Sequence, residues 1–330
     1  MAIVMGVEST AHTFGIGFVR DGKVIANIRD MYTTESGGII PLDSAKHHRE
    51  VCEKIYGEAL YEAGISEEEI DGIAFSQGPG LPPCLLVGLE FSKKISKRLN
   101  KPLVPVNHCV AHLEIGRVTG AKDPVLLYAS GANTQVISYA SGKYRVFGET
   151  LDTGVGNFID TFARYAGIGF PGGPKIERLA KEGKNYVELP YVVKGMDVSF
   201  SGILTNLRQK LKNEKYSLED LSFSMQETVF AMLVETAERA LAHVGKNELV
   251  LGGGVACNLR LQEMAKKMCE ERNAKSFCPE KPLLVDNGAM IAYLGEIMFN
   301  SGIKFSGKEA QDLDIKPRQR TDEVEVIWKD

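Results

Sequence analysis

The pentapeptide His108-Cys109-Val110-Ala111-His112 sets two imidazoles four residues apart, so on a helix they stand one turn apart on one face. Such a pair can close on one divalent cation through neutral ring nitrogens. The preceding Lys-Pro-Leu-Val-Pro-Val-Asn reads as an extended strand ending in a turn. The pair then falls at the C-terminal end of a strand, on the first turns of a helix, where α/β folds place their sites. The competing reading is two ordinary helix-start histidines, and His47-His48 shows that pairs also arise without evident purpose. A carboxylate for the same cation is on offer at Asp286, at a strand end before the small-residue run Asn287-Gly288-Ala289. That Asp is equally readable as a helix N-cap.

Three further stretches can approach a ligand. Gly252-Gly253-Gly254-Val-Ala-Cys257-Asn258 follows a buried strand, and three glycines let a planar group lie against bare backbone. No GxGxxG spacing occurs there, so it is not a Rossmann fingerprint. Asp160 sits early on a helix after the glycine loop Asp152-Thr-Gly-Val-Gly, either as a first-turn acid or as a group that reaches a ribose or a metal. Phe170-Pro-Gly-Gly173-Pro-Lys-Ile-Glu177 is either a plain turn or a place where backbone passes close to a ligand.

The elements that must position these residues are legible from periodicity. Residues 2–7 form a buried strand, then come Glu8-Ser-Thr-Ala-His-Thr13, a second strand, and the Arg20-Asp21-Gly22-Lys23 hairpin turn. The same design recurs at Val125 to Tyr139, turning at Ser141-Gly142-Lys143, 120 positions on. Under that offset Glu8 meets Tyr128, Ser9 meets Ala129 and Thr13 meets Asn133. Matched hairpins in both halves predict a duplicated α/β domain with a cleft, residues 1–120 and 121–330, and loops whose amides can face a phosphate. Helices are expected over Asp43 to Gly64, Leu85 to Leu99 and Leu221 to His243, the last begun by a cap at Ser217. A further helix opens at Ser199-Phe-Ser-Gly202 and carries Arg208, Lys210 and Lys212. Gly37 to Pro41 reads as a loop able to cover a site. Lys93, Lys94, Lys97, Arg98 and Lys101 make either a solvated helix face or an RNA-phosphate patch.

Composition bounds the answer. The 330 residues are 44% hydrophobic and 25% charged, as in soluble globular proteins, and suit two domains. No apolar run approaches a membrane span, and the early Glu8 and missing basic n-region argue against a signal peptide. Six cysteines without CxxC pairing read as reduced thiols in a cytoplasm. A net charge of −4 does not describe a chain coated for nucleic acid, so weak binding to RNA by the isolated chain is expected.

Taken together, the pieces resemble a known family. The strand–loop–hairpin segments at Glu8 to Gly17 and Tyr128 to Val136, with Gly252 to Asn258, resemble the ASKHA fold of actin, sugar kinases and heat-shock chaperones. His108-Cys-Val-Ala-His112, Leu126-Leu-Tyr-Ala-Ser-Gly-Ala-Asn-Thr-Gln135, Gly169-Phe-Pro-Gly-Gly-Pro174, Ser199-Phe-Ser-Gly202, Gly252 to Asn258 and Asp286-Asn-Gly288 resemble the universal tRNA threonylcarbamoyl-transferase family. Its branches are bacterial TsaD and the archaeal and eukaryotic Kae subunit of the KEOPS complex. Glu8-Ser-Thr-Ala-His-Thr13 and Lys316-Pro-Arg-Gln-Arg-Thr-Asp-Glu-Val324 are similar to the archaeal type, and the resemblance runs from Gly6 to Arg320.

The resemblance implies transfer of a threonylcarbamoyl group from threonylcarbamoyl-AMP to the adenosine beside the anticodon, in tRNAs reading codons that begin with A, with release of AMP. It implies metal ligands at His108, His112, Tyr128 and Asp286, with His108, His112 and Asp286 as the catalytic set. It implies adenylate contacts at Tyr128, Ala129, Ser130, Gly131, Ala132 and Asn133, and nucleoside contacts at Asp160, Gly173, Glu177 and Asn258. The expected cation is Fe(2+) or Zn(2+), and the nucleotide is threonylcarbamoyl-AMP or ATP, with or without Mg2+. Implied partners are tRNA, a small kinase that is fused in some archaea, small KEOPS subunits, and a Sua/YrdC-type enzyme that makes the adenylate. Residues 321–330 are then readable as the start of a linker. Three rivals are weaker. A zincin needs Glu where Cys109 stands. A small-molecule kinase does not need two histidines. A bare scaffold needs neither glycine loops nor ligand residues.

Overall fold

A computed structural model describes residues 2–34, 39–213 and 215–329. The chain opens with β1 (Ile3–Glu8), β2 (Thr13–Arg20) and β3 (Lys23–Met31), followed by α1 (Pro41–Ala63), β4 (Gly72–Gly78), α2 (Pro82–Leu99), β5 (Leu103–Asn107) and α3 (His108–Ile115). The motif repeats with β6 (Val125–Ala129), β7 (Thr134–Ala140) and β8 (Lys143–Glu149). Then come α4 (Val155–Tyr165), α5 (Gly173–Glu182), the short pair β9 (Val193–Lys194) and β10 (Asp197–Val198), α6 (Ser201–Leu211) and α7 (Leu218–Val244). The chain continues through β11 (Glu248–Gly252), α8 (Leu259–Glu271), β12 (Lys275–Phe277), α9 (Lys281–Leu284), α10 (Gly288–Asn300) and α11 (Gly307–Asp312).

Two five-stranded sheets share one topology: β3-β2-β1-β4-β5 and β8-β7-β6-β11-β12. In each, the first three strands are an antiparallel meander and the last two run parallel to the first. The 120-residue offset holds at the hairpin turns. Asp21 and Ser141 both take φ 52°, and Gly22 and Gly142 follow at 71° and 77°. Positive φ at both central residues gives a turn whose twist matches the strands it joins.

Helix ends follow local chemistry. The expected starts at Asp43 and Leu85 move forward to Pro41 and Pro82, because proline's fixed φ suits a first helical position. Gly64 ends α1 with φ 63°, and the Ser217 side chain accepts the Asp220 amide to open α7. Gly37 and Gly38, in the loop expected to cover a site, lie outside the described residues. Among the described residues no helix is long and apolar enough to cross a membrane.

Helices α1 and α2 cover the outer face of the first sheet, and α4, α5, α7 and α8 pack with the second. Helices α3 and α10 lie between the sheets, in a core that joins Val4, Ala74 and Val106 to Leu126, Tyr128, Val250 and Met290. Helix α10 comes from late in the chain but lies flush on β1 and β2. A Cβ at Gly17 would stand 2.3 Å from the Ala289 amide nitrogen, and one at Gly6 2.2 Å from that of Ala292. No side chain fits at either contact. Gly17→Ala should therefore cost about 3 kcal/mol or more by overpacking. Gly22→Ala, at a positive φ with open space around it, should cost about 1 kcal/mol. Urea unfolding of the two variants measures the order, and a Gly17→Ala protein as stable as the wild type would refute the flush contact.

Candidate metal and nucleotide site

Strand β5 runs directly into α3. The Asn107 side chain caps that helix by accepting the Val110 amide at 3.1 Å, and its Nδ2 reaches Gln319 Oε1 at 3.0 Å. The far end of α3 is fixed through Glu114, a fully buried carboxylate. Tyr144 donates to it at 2.8 Å, Lys329 Nζ lies at 2.5 Å and Arg117 at 3.3 Å. Trp328 Nε1 donates to the Tyr144 hydroxyl at 3.3 Å, so the stretch expected to begin a linker packs against the helix that carries the histidines.

His108 and His112 stand with ring centroids 4.8 Å apart, both buried. His108 Nδ1–H donates to Glu8 Oε2 at 3.0 Å. On its other side, His108 Nε2 lies 2.9 Å from the Tyr128 hydroxyl and 3.4 Å from Asp286 Oδ1. His112 Nε2 lies 3.3 Å from the same carboxylate oxygen. One ligand atom each from His108, His112 and Asp286 falls within a 4.8 Å span. Asp286 is not the cap of α10. Asn287 takes that role by accepting the Met290 amide at 2.9 Å, which leaves the neighbouring carboxylate for the imidazoles.

The electrostatics fit a cation at this point. Burial opposes charge on His108, yet Tyr128, Glu8 and Asp286 outweigh it and hold the imidazole well above its usual pKa. Burial dominates at His112 and lowers it. Burial also disfavours the Asp286 anion, but hydrogen bonds and charge from both histidines hold its carboxyl well below the usual range. Burial pushes the Tyr128 phenol up. A proton on His108 Nε2 and a divalent cation compete for one position, so the donor set of two imidazoles, a carboxylate and a phenol suits a borderline metal. Glu8, behind His108, fixes the ring so that Nε2 faces inward.

Glu8 was not expected as part of this cluster. Its signal was present in the repeat: Glu8 and Tyr128 are offset equivalents, and they bracket His108 from opposite ring nitrogens. Glu8 also accepts from the Thr10 amide at 2.7 Å and from the Thr10 hydroxyl, and Ser76 takes the Ser9 amide at 3.1 Å. The first hairpin loop therefore spends those amides internally. The second does not. Ser130 and Asn133 close their loop on each other, while Gly131 and Ala132 are exposed and their amides meet no acceptor among the described residues.

The four residues expected to hold a nucleoside lie together, but three have structural work. Asp160 accepts the Gly172 amide at 2.8 Å, and burial raises its pKa against that bond. Glu177 accepts the Leu259 amide at 3.2 Å. Asn258 caps α8 through the Arg260 amide at 2.9 Å and donates Nδ2 to Gln226 at 2.9 Å. A Cβ at Gly173 would meet nothing within 4 Å, so its face is open. Gly253 joins this wall to the metal ligands: its amide donates to Leu284 O at 3.0 Å, and a Cβ on it would stand 2.4 Å from Ala129 O. Cys109 and Cys257 are desolvated thiols with raised pKa and touch no ligand position.

A sequence model of the tRNA N6-adenosine threonylcarbamoyltransferase family, TsaD, matches residues 23–293. The chain belongs to this family. It is 56% identical over 326 residues to the tRNA N6-adenosine threonylcarbamoyltransferase of Thermococcus kodakarensis, covering 99% of both chains. It is 52% identical to a probable bifunctional tRNA threonylcarbamoyladenosine biosynthesis protein of Methanosarcina mazei, covering 98% of this chain and 59% of that protein. Among solved structures, Thermococcus kodakarensis HypF aligns with TM-score 0.64 and 16% identity over 92% of this chain and 48% of its own. Component A of Acidaminococcus fermentans (R)-2-hydroxyglutaryl-CoA dehydratase aligns at 0.55 and 12% identity, over 89% and 97%. These two likenesses concern the fold, which is the duplicated ASKHA architecture expected from the repeat.

Because Glu8 orients His108, Glu8→Gln should weaken Zn2+ binding about 10-fold or more. His112→Ala should weaken it further, with circular dichroism unchanged in both. Competition with a chelating dye reads the affinities; an unchanged value for Glu8→Gln would remove its orienting role.

Proposed function

We propose that this chain transfers the threonylcarbamoyl group from threonylcarbamoyl-AMP to the N6 amine of the adenosine beside the anticodon, releasing AMP. The observation that carries the reading is the convergence of His108, His112, Asp286 and Tyr128 beside the open Gly131-Ala132 loop. An exocyclic adenine amine is a weak nucleophile because its lone pair is delocalised into the ring, so the carbamoyl carbonyl must be polarised. A divalent cation held by His108, His112, Asp286 and Tyr128, Fe(2+) or Zn(2+), supplies that polarisation as a Lewis acid when bound.

The remaining work belongs to the chain. Glu8 holds His108 in one orientation. The Gly131 and Ala132 amides offer donors to the phosphate of departing AMP, where charge grows as the acyl bond breaks. Ser130 and Asn133 keep that loop closed on itself. The open face of Gly173 receives the nucleoside, between a turn tied down by Asp160 and a helix start tied down by Glu177 and Asn258. A protease reading gains nothing from Glu8, whose carboxylate is committed to His108 and Thr10.

In this reading the chain is the catalytic subunit of a KEOPS-type assembly in the cytoplasm. It works with a small kinase, small accessory subunits and a Sua/YrdC-type enzyme that supplies the adenylate. The test is a transfer assay with metal-loaded protein, threonylcarbamoyl-AMP, unmodified tRNA and those partners, read by nucleoside digestion. Wild type should yield threonylcarbamoyladenosine, and His112→Ala should fall at least 100-fold. If wild type gives neither product nor AMP with every partner present, a nucleotide-binding ASKHA protein with another reaction takes its place.

A further inference from the structure

Helices α4 and α6 start near the candidate site and run outward from it. The first turn of α4 is joined to the Ser130–Gly131 loop, with the Gly156 amide on Ser130 O and the Asn157 amide on Gly131 O, both at 2.9 Å. The start of α6 is held by Asp152, which lies just before α4 and accepts the Ser199 hydroxyl at 2.6 Å and the Ser201 amide at 2.9 Å. The two helices pack on each other. Each has 11 residues and so spans about 16 Å. Their far ends carry Arg164 and Tyr165 on α4, and Arg208 and Lys212 at the end of α6, all exposed. The Arg208 guanidinium lies 4.9 Å from the centroid of the Tyr165 ring, which is 41% exposed. Ser201, Thr205, Arg208 and Lys212 follow one another at helical spacing along a single exposed face.

We propose that this α4–α6 face is where tRNA docks, with the Tyr165–Arg208 stack meeting a nucleobase and Arg164 and Lys212 meeting phosphates. The inference rests on the transferase reading and adds the surface that reading lacks. Among the described residues no carboxylate pairs with Arg164, Arg208 or Lys212. The basic run on α2 is the instructive contrast. There Lys94 pairs with Glu53, Arg98 with Glu67 and Lys101 with Asp71, and Lys93 Nζ sits on the carbonyls of Gln311 and Leu313. The sequence makes α2 the more basic helix, yet its charge is consumed inside the fold. The macrodipole explains a cation in the last turn of each helix but not an exposed aromatic stacked under one of them. A patch about 16 Å from the nucleotide loop is out of reach of a bound adenylate and suits an extended polyanion with unstacked bases. With a net charge of −4, a local field is what such a ligand requires.

The test measures binding directly, so it reads the same whether or not product forms. Full-length chain is titrated with unmodified tRNA across a series of KCl concentrations. The double variant Arg208→Ala/Lys212→Ala should bind at least 10-fold more weakly at low salt, with the slope of log K against log[KCl] shallower by about 1.5. Tyr165→Ala should lose affinity without changing that slope, and Tyr165→Phe should restore it. Lys94→Ala/Arg98→Ala should bind as wild type does. Wild-type affinity and slope in the α6 double variant would overturn the proposal, as would losses confined to the α2 control. So would a wild-type chain with no salt-dependent tRNA binding. Absence of product with binding intact would count against the transferase reading alone.

Discussion

A buried carboxylate, Glu8, governs the centre of this molecule. It is fully shielded from solvent at the end of β1, where an unpaired anion would be costly. Its answer is His108, supported by two donors from Thr10. That single contact joins β1 to α3, and the far side of the same imidazole joins α3 to Tyr128 on β6 and to Asp286 before α10. Four separate segments thus meet on one ring. Removing one partner would leave the others buried and uncompensated, so the cluster is set by mutual need as much as by any single bond.

The flush seat of α10 serves the same centre. Glycine at positions 6 and 17 lets the helix backbone rest on the sheet, and this fixes the height at which Asp286 enters the cleft. Asn287 then takes over the capping duty, which frees Asp286. Adjacent residues with nearly the same polar reach have divided two tasks that one of them could not perform together.

Much of this was legible in the sequence. The 120-residue repeat foretold both meanders and their turns, because Asp-Gly and Ser-Gly supply the positive φ that a tight hairpin demands. The His108/His112 spacing foretold a shared face. Roles that depend on who stands opposite were not legible. Glu8 read as part of a phosphate loop because its partner lies 100 positions away. The α2 lysines read as a candidate RNA patch because their acids, Glu53, Glu67 and Asp71, come from other elements. Asp160, Glu177 and Asn258 looked free for a ligand, yet each already holds a backbone amide. Periodicity fixes which face a residue occupies, whereas pairing across the fold is settled by topology.

The placement of the cluster also bears on how the two halves move. His108 and His112 follow a strand of the first sheet, Tyr128 belongs to the second, and Asp286 lies on the connection that leads from the second sheet back to the first. The contacts therefore act as a latch across the seam. Separating the halves by even an ångström or two would stretch every one of these bonds at once, so a widely opened cleft and an assembled site are mutually exclusive states. Substrate entry must then proceed through the loops at the rim, with the hinge itself kept shut.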